Sequence, residues 1–212
     1  KMANIIREVD EELRKERYAS LFKKYGAYVI GFIVIIVSLL ISIQIYQSYK
    51  ISSNEEIVEN YINSIDMETD SIEEKILMIE SFTDTKNIFV NGMSALKKAD
   101  LLIENGQQEA AIKSLKDIIN NKKIEAIHRD LGLYKYLMIS MNSMSILDFS
   151  EFSDNLNKES LFYYLIQELK ATKLLLDGET ENANIEFNKL MNDPLVTGDI
   201  KNRVSILINI SN

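Results

Sequence analysis

A single imidazole, His128, stands beside Arg129 and Asp130, and a carboxylate pair, Asp148 and Glu151, follows it. An imidazole next to an acid is the usual pairing for proton transfer, and with a second His or Cys it becomes a metal site. Here there is no second histidine and no cysteine, so metal ligation and thiol chemistry lack their groups. His128 opens a helix after a short loop, which predicts a solvated capping or surface role. Asp148-Phe-Ser-Glu151 has the spacing of a capping box, whose job is to satisfy the free N–H groups at a helix start. No nucleophile elbow, HExxH pair, phosphate-binding glycine loop or Gly-rich nucleotide turn occurs. Met138, Met141 and Met144 recur at spacing three and are expected in a core, as are Tyr163 and Tyr164 between helix pairs. The expectation is therefore no enzyme, no catalytic residue, no metal, no cofactor and no small-molecule substrate.

What remains is contact chemistry, and the elements that would position it. Residues 25–49 contain no ionisable acid or base. At about 1.5 Å per residue such a helix reaches ~37 Å, enough for a hydrocarbon core of about 30 Å. Thirteen of these residues are Ile, Leu, Val or Phe, which favours insertion by about 4–8 kcal/mol at most. A membrane span is expected here. It does not read as a cleaved signal peptide, because the leading segment is long and mixed in charge and no small-residue cleavage site follows. Seven Lys and Arg precede the span and only Lys50 falls in the twenty residues after it. Positive charge stays cytoplasmic, so residues 1–24 are expected inside, as an amphipathic helix, with residues 50–212 exported. Tyr25, Tyr28, Tyr46 and Tyr49 mark the two interfaces. Within the span, Ala27, Gly31, Ser38 and Ser42 fall within about 60° of one another at 100° per residue. Such a stripe of small residues predicts contact with a partner helix, although Val34 and Ile35 interrupt it.

Residues 51–212 carry 16 Lys and Arg against 27 Asp and Glu, a net charge of −11, compared with −8 for the whole chain. That acidic balance excludes nucleic acid as a partner. The hydrophobic pattern in this part is helical throughout: Ile72–Phe82 behind the box Ser71-Ile-Glu-Glu74, then Ile88–Glu104, Gln107–Asn120 and Ile124–Ser143. A short helix from Asp148 follows, and then Glu159–Leu176, Glu179–Met191 and Asp199–Ile210. No alternating strand pattern appears. The fold class is all-α.

These helices repeat a grammar. Ala99 lies seven residues before Gly106, Ala111 five after it and Leu115 four further on, with Leu102 between the first two. Ala171, Leu174, Gly178, Ala183 and Phe187 repeat those offsets. Small residues let paired helices approach and large ones fill the gap between neighbouring pairs, as in tetratricopeptide repeats. The glycines are 72 apart, about two repeats of ~34 residues. A middle hairpin, Ile124–Leu156, is expected between them, keeping only Leu131-Gly132 of the grammar. The predicted architecture is a transmembrane helix followed by a tetratricopeptide-like α-solenoid.

The opening residues IIREVDEELRKER and KKYGAYVIG resemble the start of proteobacterial membrane-anchored TPR-like proteins related to the ancillary subunit of the Sec translocon. HRDLGLYKYLMIS at 128–140, LIQELKATKLLLDGETENANIEFNKLMNDP at 165–194 and DIKNRVSILINI at 199–210 resemble the later repeats of that family. The resemblance implies a single-pass inner-membrane protein with a periplasmic repeat domain. It further implies that translocon subunits, periplasmic chaperones and exported polypeptides are its partners, beside the lipid bilayer. A structural or regulatory envelope protein, acting in division or stress signalling through its cytoplasmic helix, is the alternative.

Overall fold

The computed structural model describes Ser38, residues 40–45, Gln47, Ile51, and residues 53–211 apart from Asp70. Among the described residues all regular secondary structure is helical. The chain divides into two compact units, residues 1–55 and 56–212. In the first, residues 40–45 are helical, and Leu40, Ile41, Ile43 and Ile45 are each more than half exposed. Among the described residues no helix is long and apolar enough to cross a membrane. Most of residues 25–49, and all of 1–24, lie outside the described residues.

The second unit is built from residues 56–66 (α1), Ile72–Glu80 (α2), Ile88–Glu104 (α3), Gln108–Asn120 (α4) and Ala126–Ser140 (α5). Ile146–Asp154 (α6), Tyr163–Leu176 (α7), Thr180–Asn192 (α8) and Gly198–Ser211 (α9) complete it. Side-chain caps start three of these helices. Ser71, Asn87 and Ser145 accept from the amides of Glu74, Val90 and Asp148, each cap contributing about 1 kcal/mol.

Local hydrogen bonds correct several expected boundaries. The cap of α6 is Ser145, not Asp148: both Ser-x-x-Asp and Asp-x-x-Glu fit the box, and it is the Ser145 hydroxyl that accepts from the Asp148 amide. At Ser71 only half of the predicted box forms: the hydroxyl accepts from the Glu74 amide and donates to the Glu73 carboxylate. Helix α5 starts later than Ile124 because the amide of Ile124 turns back to the Asn121 carbonyl. Helix α7 starts at Tyr163 because Asn157 accepts from the Glu159 amide and Ser160 from that of Phe162, holding the preceding loop in turns.

Three clusters of buried side chains follow one another along the chain, with no single centre. Tyr61, Ile79, Val90 and Leu102 belong to the first, Ala99, Leu115, Leu137 and Phe149 to the second, and Ala171, Phe187 and Val204 to the third. Helix packing explains this series. Helix α3 packs on α4 and α5, α5 on α7, and α7 on α8 and α9, so successive odd helices touch. Among the described residues no pair of even helices packs comparably. Elements approach most closely on the inside of a curved stack, which makes the odd helices the inner layer. The expected middle hairpin is looser than predicted. Helix α6 meets α5 through Phe149 and a Tyr136–Phe152 ring contact at 5.3 Å, but its backbone packs chiefly against α7. Met138 is 48% exposed and so stands outside the core expected for the methionine run.

Two helix ends are built identically. Gly106 and Gly178 have φ of +73° and +83°. The amides of Gln107 and Glu179 reach the carbonyls of Leu102 and Leu174, while those of Gly106 and Gly178 reach Ile103 and Leu175. This is the paired bonding of a Schellman turn, and it needs a left-handed residue at the glycine. Nothing lies within 4 Å of a Cβ added at either position, so space is not the constraint. Gly106→Ala and Gly178→Ala should each cost about 1 kcal/mol from backbone strain alone, read as a lowered urea midpoint. An unchanged midpoint would show that the turns relax.

Candidate functional site

The sequence-selected repeat residues occupy the seams between helices. Ala99, Ala111, Leu115, Ala171, Ala183 and Phe187 are fully buried, and Leu102 and Leu174 nearly so. They divide among all three clusters, with Leu102 and Ala111 in the first, Ala99 and Leu115 in the second, and the remainder in the third. Gly106 and Gly178 make the turns that fold each pair back. Ala27 and Gly31 lie outside the described residues. Ser38 and Ser42 are helical and exposed, and the Ser42 hydroxyl donates to the Ser38 carbonyl at 2.8 Å.

The α3–α5 seam holds a feature that the sequence did not disclose. His128 is not solvated but buried, at 4% exposure, in the first turn of α5. Its imidazole lies over Gly92 of α3, where an added Cβ would sit 2.4 Å from Nδ1. The Phe89 ring stands edge-on to it at 5.5 Å. Nδ1 and the Oδ1 of neighbouring Asn91 are both buried without a hydrogen-bond partner among the described residues. Burial pushes the imidazole below its ordinary range, and the Glu125 carboxylate, 3.7 Å from Nδ1, partly offsets this. The folded protein therefore holds His128 neutral, whereas the unfolded chain takes up a proton near pH 6.5. The stability associated with the neutral ring is present above about pH 6.5 and lost as pH falls toward the lower folded value. Between about pH 7.5 and about pH 5.5 the wild type should lose more of its urea midpoint than His128→Gln. Equal losses would assign the acid sensitivity to other groups.

Ion pairs tie the inner layer together at a constant step. Lys135 of α5 reaches Asp100 of α3 at 2.7 Å, and Arg203 of α9 grips both oxygens of Glu168 of α7 at 2.7 and 2.6 Å. Each tie spans 35 residues. The bond to Glu168 holds the Arg203 guanidinium more firmly charged. Lys98 pairs with Glu80 and Lys170 with Asp154, each across neighbouring helices.

Between the first turns of α5 and the 155–162 loop lie two adjoining cavities of about 440 and 300 Å³. Ile127, Leu161 and Phe162 line the larger, Leu133, Phe152 and Leu156 the smaller, and Arg129, Asp130 and Asn157 border both. A further cavity of about 640 Å³ lies among residues 66–69, α2 and α3, with Lys75, Lys97 and Glu104 on its walls. Among the described residues no group of three His, Asp or Glu is placed to hold a metal ion.

A stack of paired helices, small residues at the seams and a 35-residue step is the geometry of tetratricopeptide repeats. The tetratricopeptide repeat-like domain family matches residues 20–133, more than half of the chain. The chain belongs to this family. No curated protein and no solved structure matches it. The tetratricopeptide repeat-like match ends inside α5, yet the same odd-on-odd packing continues through α7 to α9. A tetratricopeptide repeat-like domain is typically a non-catalytic scaffold that presents an extended surface to protein partners. The residues that sequence reasoning missed in this one are Gly92, Asn91 and the 35-residue ion ties. The ties were visible as Asp100 with Lys135 and Glu168 with Arg203, once odd helices are aligned on odd.

Proposed function

We propose that the protein is a membrane-anchored scaffold that binds other proteins through its repeat domain. The observation that carries this reading is membership of the tetratricopeptide repeat-like family together with the stacked helices that continue to α9. In this reading residues 1–24 are cytoplasmic, 25–49 span the inner membrane and 50–212 form the periplasmic domain. The uncharged 25-residue stretch and the lysine and arginine imbalance around it support that assignment. So do the exposed apolar side chains of residues 40–45, which suit lipid better than water. Ala27, Gly31, Ser38 and Ser42 are the positions where the span would meet a partner helix.

The scaffold acts, in this proposal, beside the Sec translocon, holding periplasmic chaperones or newly exported chains near the exit. That placement is supported by the resemblance of the opening residues and later repeats, quoted above, to translocon-associated proteins. Affinity purification of the tagged chain in mild detergent, followed by mass spectrometry, tests it. Translocon subunits and periplasmic folding factors should exceed a control carrying an unrelated span. Division or signalling proteins in their place would instead support the regulatory envelope role. Gly31→Leu with Ser38→Ile should reduce recovery without blocking membrane insertion.

A further inference from the structure

The groove between α5 and the 155–162 loop combines three features. It adjoins the longest connection among α1 to α9. Its mouth carries Leu161 at 77% exposure and Ile127 at 47%, both lining one cavity. Water gains nothing from these two side chains, and the partly buried Phe152 and Leu156 extend the apolar wall inward.

Charge narrows what fits. Asp130, Glu151 and Glu159 line the two cavities against one cation, Arg129. Arg129 lines both cavities, and its Nη1 donates to the Ile124 carbonyl at 2.6 Å, which leaves three carboxylates against one guanidinium. The Asp130 carboxylate accepts from the Ser160 hydroxyl, while the Glu151 and Glu159 carboxylates have no side-chain partner among the described residues. Lys158 shares the loop but is not among the lining residues. The groove therefore joins an apolar floor to an anionic rim, within residues 51–212, whose net charge is already −11 from 16 basic and 27 acidic residues. Such a rim repels acidic peptides and anionic lipid headgroups and steers cations toward the floor.

We propose that this groove captures a short segment of a partner protein presenting a large apolar side chain flanked by lysine or arginine. The proposal rests on the scaffold reading of the repeat domain and is independent of the membrane and translocon assignments. The apolar side chain enters between Ile127 and Leu161, and its basic neighbours meet Glu151, Glu159 and Asp130.

Fluorescence anisotropy with the full chain in mild detergent tests this. The probe is a short fluorescein-labelled peptide in which Leu-Phe stands between lysine pairs, and a companion carries glutamates in place of the lysines. The lysine peptide should bind at least about tenfold more tightly than the glutamate peptide and weaken with added salt. Leu161→Asp, and separately Glu151→Lys with Glu159→Lys, should each cost about tenfold. All three positions are exposed, and an unchanged circular dichroism melt verifies the fold. Glu181→Lys, on exposed α8 away from the groove, should leave affinity unchanged. Absence of lysine-peptide binding, wild-type affinity in Leu161→Asp, or an equal loss in Glu181→Lys would overturn the proposal. Partners purified equally well by wild type and Leu161→Asp would remove the groove and leave the scaffold. Peptide binding as expected, with no translocon subunits purified, would remove the translocon reading and leave the groove.

Discussion

Phe187→Ala should lower stability by about 3–5 kcal/mol, the usual cost of emptying a fully buried aromatic site. Phe187 has no exposed surface and sits in α8 among Ala171, Leu174, Val196 and Val204, so the cavity is enclosed by three helices. The loss should be local. Each cluster contacts its neighbours rather than a common centre, and stacked repeats fail at their weakest segment first. Hydrogen exchange should show protection falling in α7 to α9 while α2 to α4 keep theirs. Uniform loss from α2 to α9 would mean that the clusters melt as one.

Gly92→Ala should cost about 2 kcal/mol or more, because overpacking a tight seam forces side chains or backbone to move. The added Cβ would lie 2.4 Å from His128 Nδ1, 2.6 Å from Cγ and 3.0 Å from Cβ, so ring and stem would both have to shift. His128→Ala removes the ring, and in that background the glycine substitution should cost much less. The double-mutant cycle, read by thermal denaturation, gives the coupling directly. A cost unchanged by His128→Ala would place the strain elsewhere in α3.

The all-helical pattern, the Ile88–Glu104 limits and the two glycine turns were legible in the sequence because their causes are local. A helix-period stripe, an Asn cap and an Asn-Gly stop each act within one turn of chain. The seam at His128 was not legible. Its partner Gly92 lies in another helix, and a histidine in the first turn of a helix reads locally as solvated. The cap of α6 was misplaced because Ser145 and Asp148 both carry acceptable cap chemistry, and only the fold selects between them. The loose α5–α6 pair left a trace as a missing small-residue grammar, but that α6 packs forward on α7 is set by contacts distant in the chain. The groove escaped because its walls come from α5, α6 and a loop whose second half reads as the start of α7. Residues 1–24, expected as a cytoplasmic helix, and most of the predicted span fall outside the described residues.

The order of the clusters also bears on how the domain is made. Buried members of the first lie between Tyr61 and Ala111, of the second between Ala95 and Ile166, and of the third between Ala171 and Val204. Pairings this close in sequence place little loop-closure cost ahead of their reward. A chain emerging amino end first can therefore close each cluster soon after its last helix appears. Folding can follow the emerging chain, and the apolar surface still waiting for a partner at any moment is that of the cluster not yet completed.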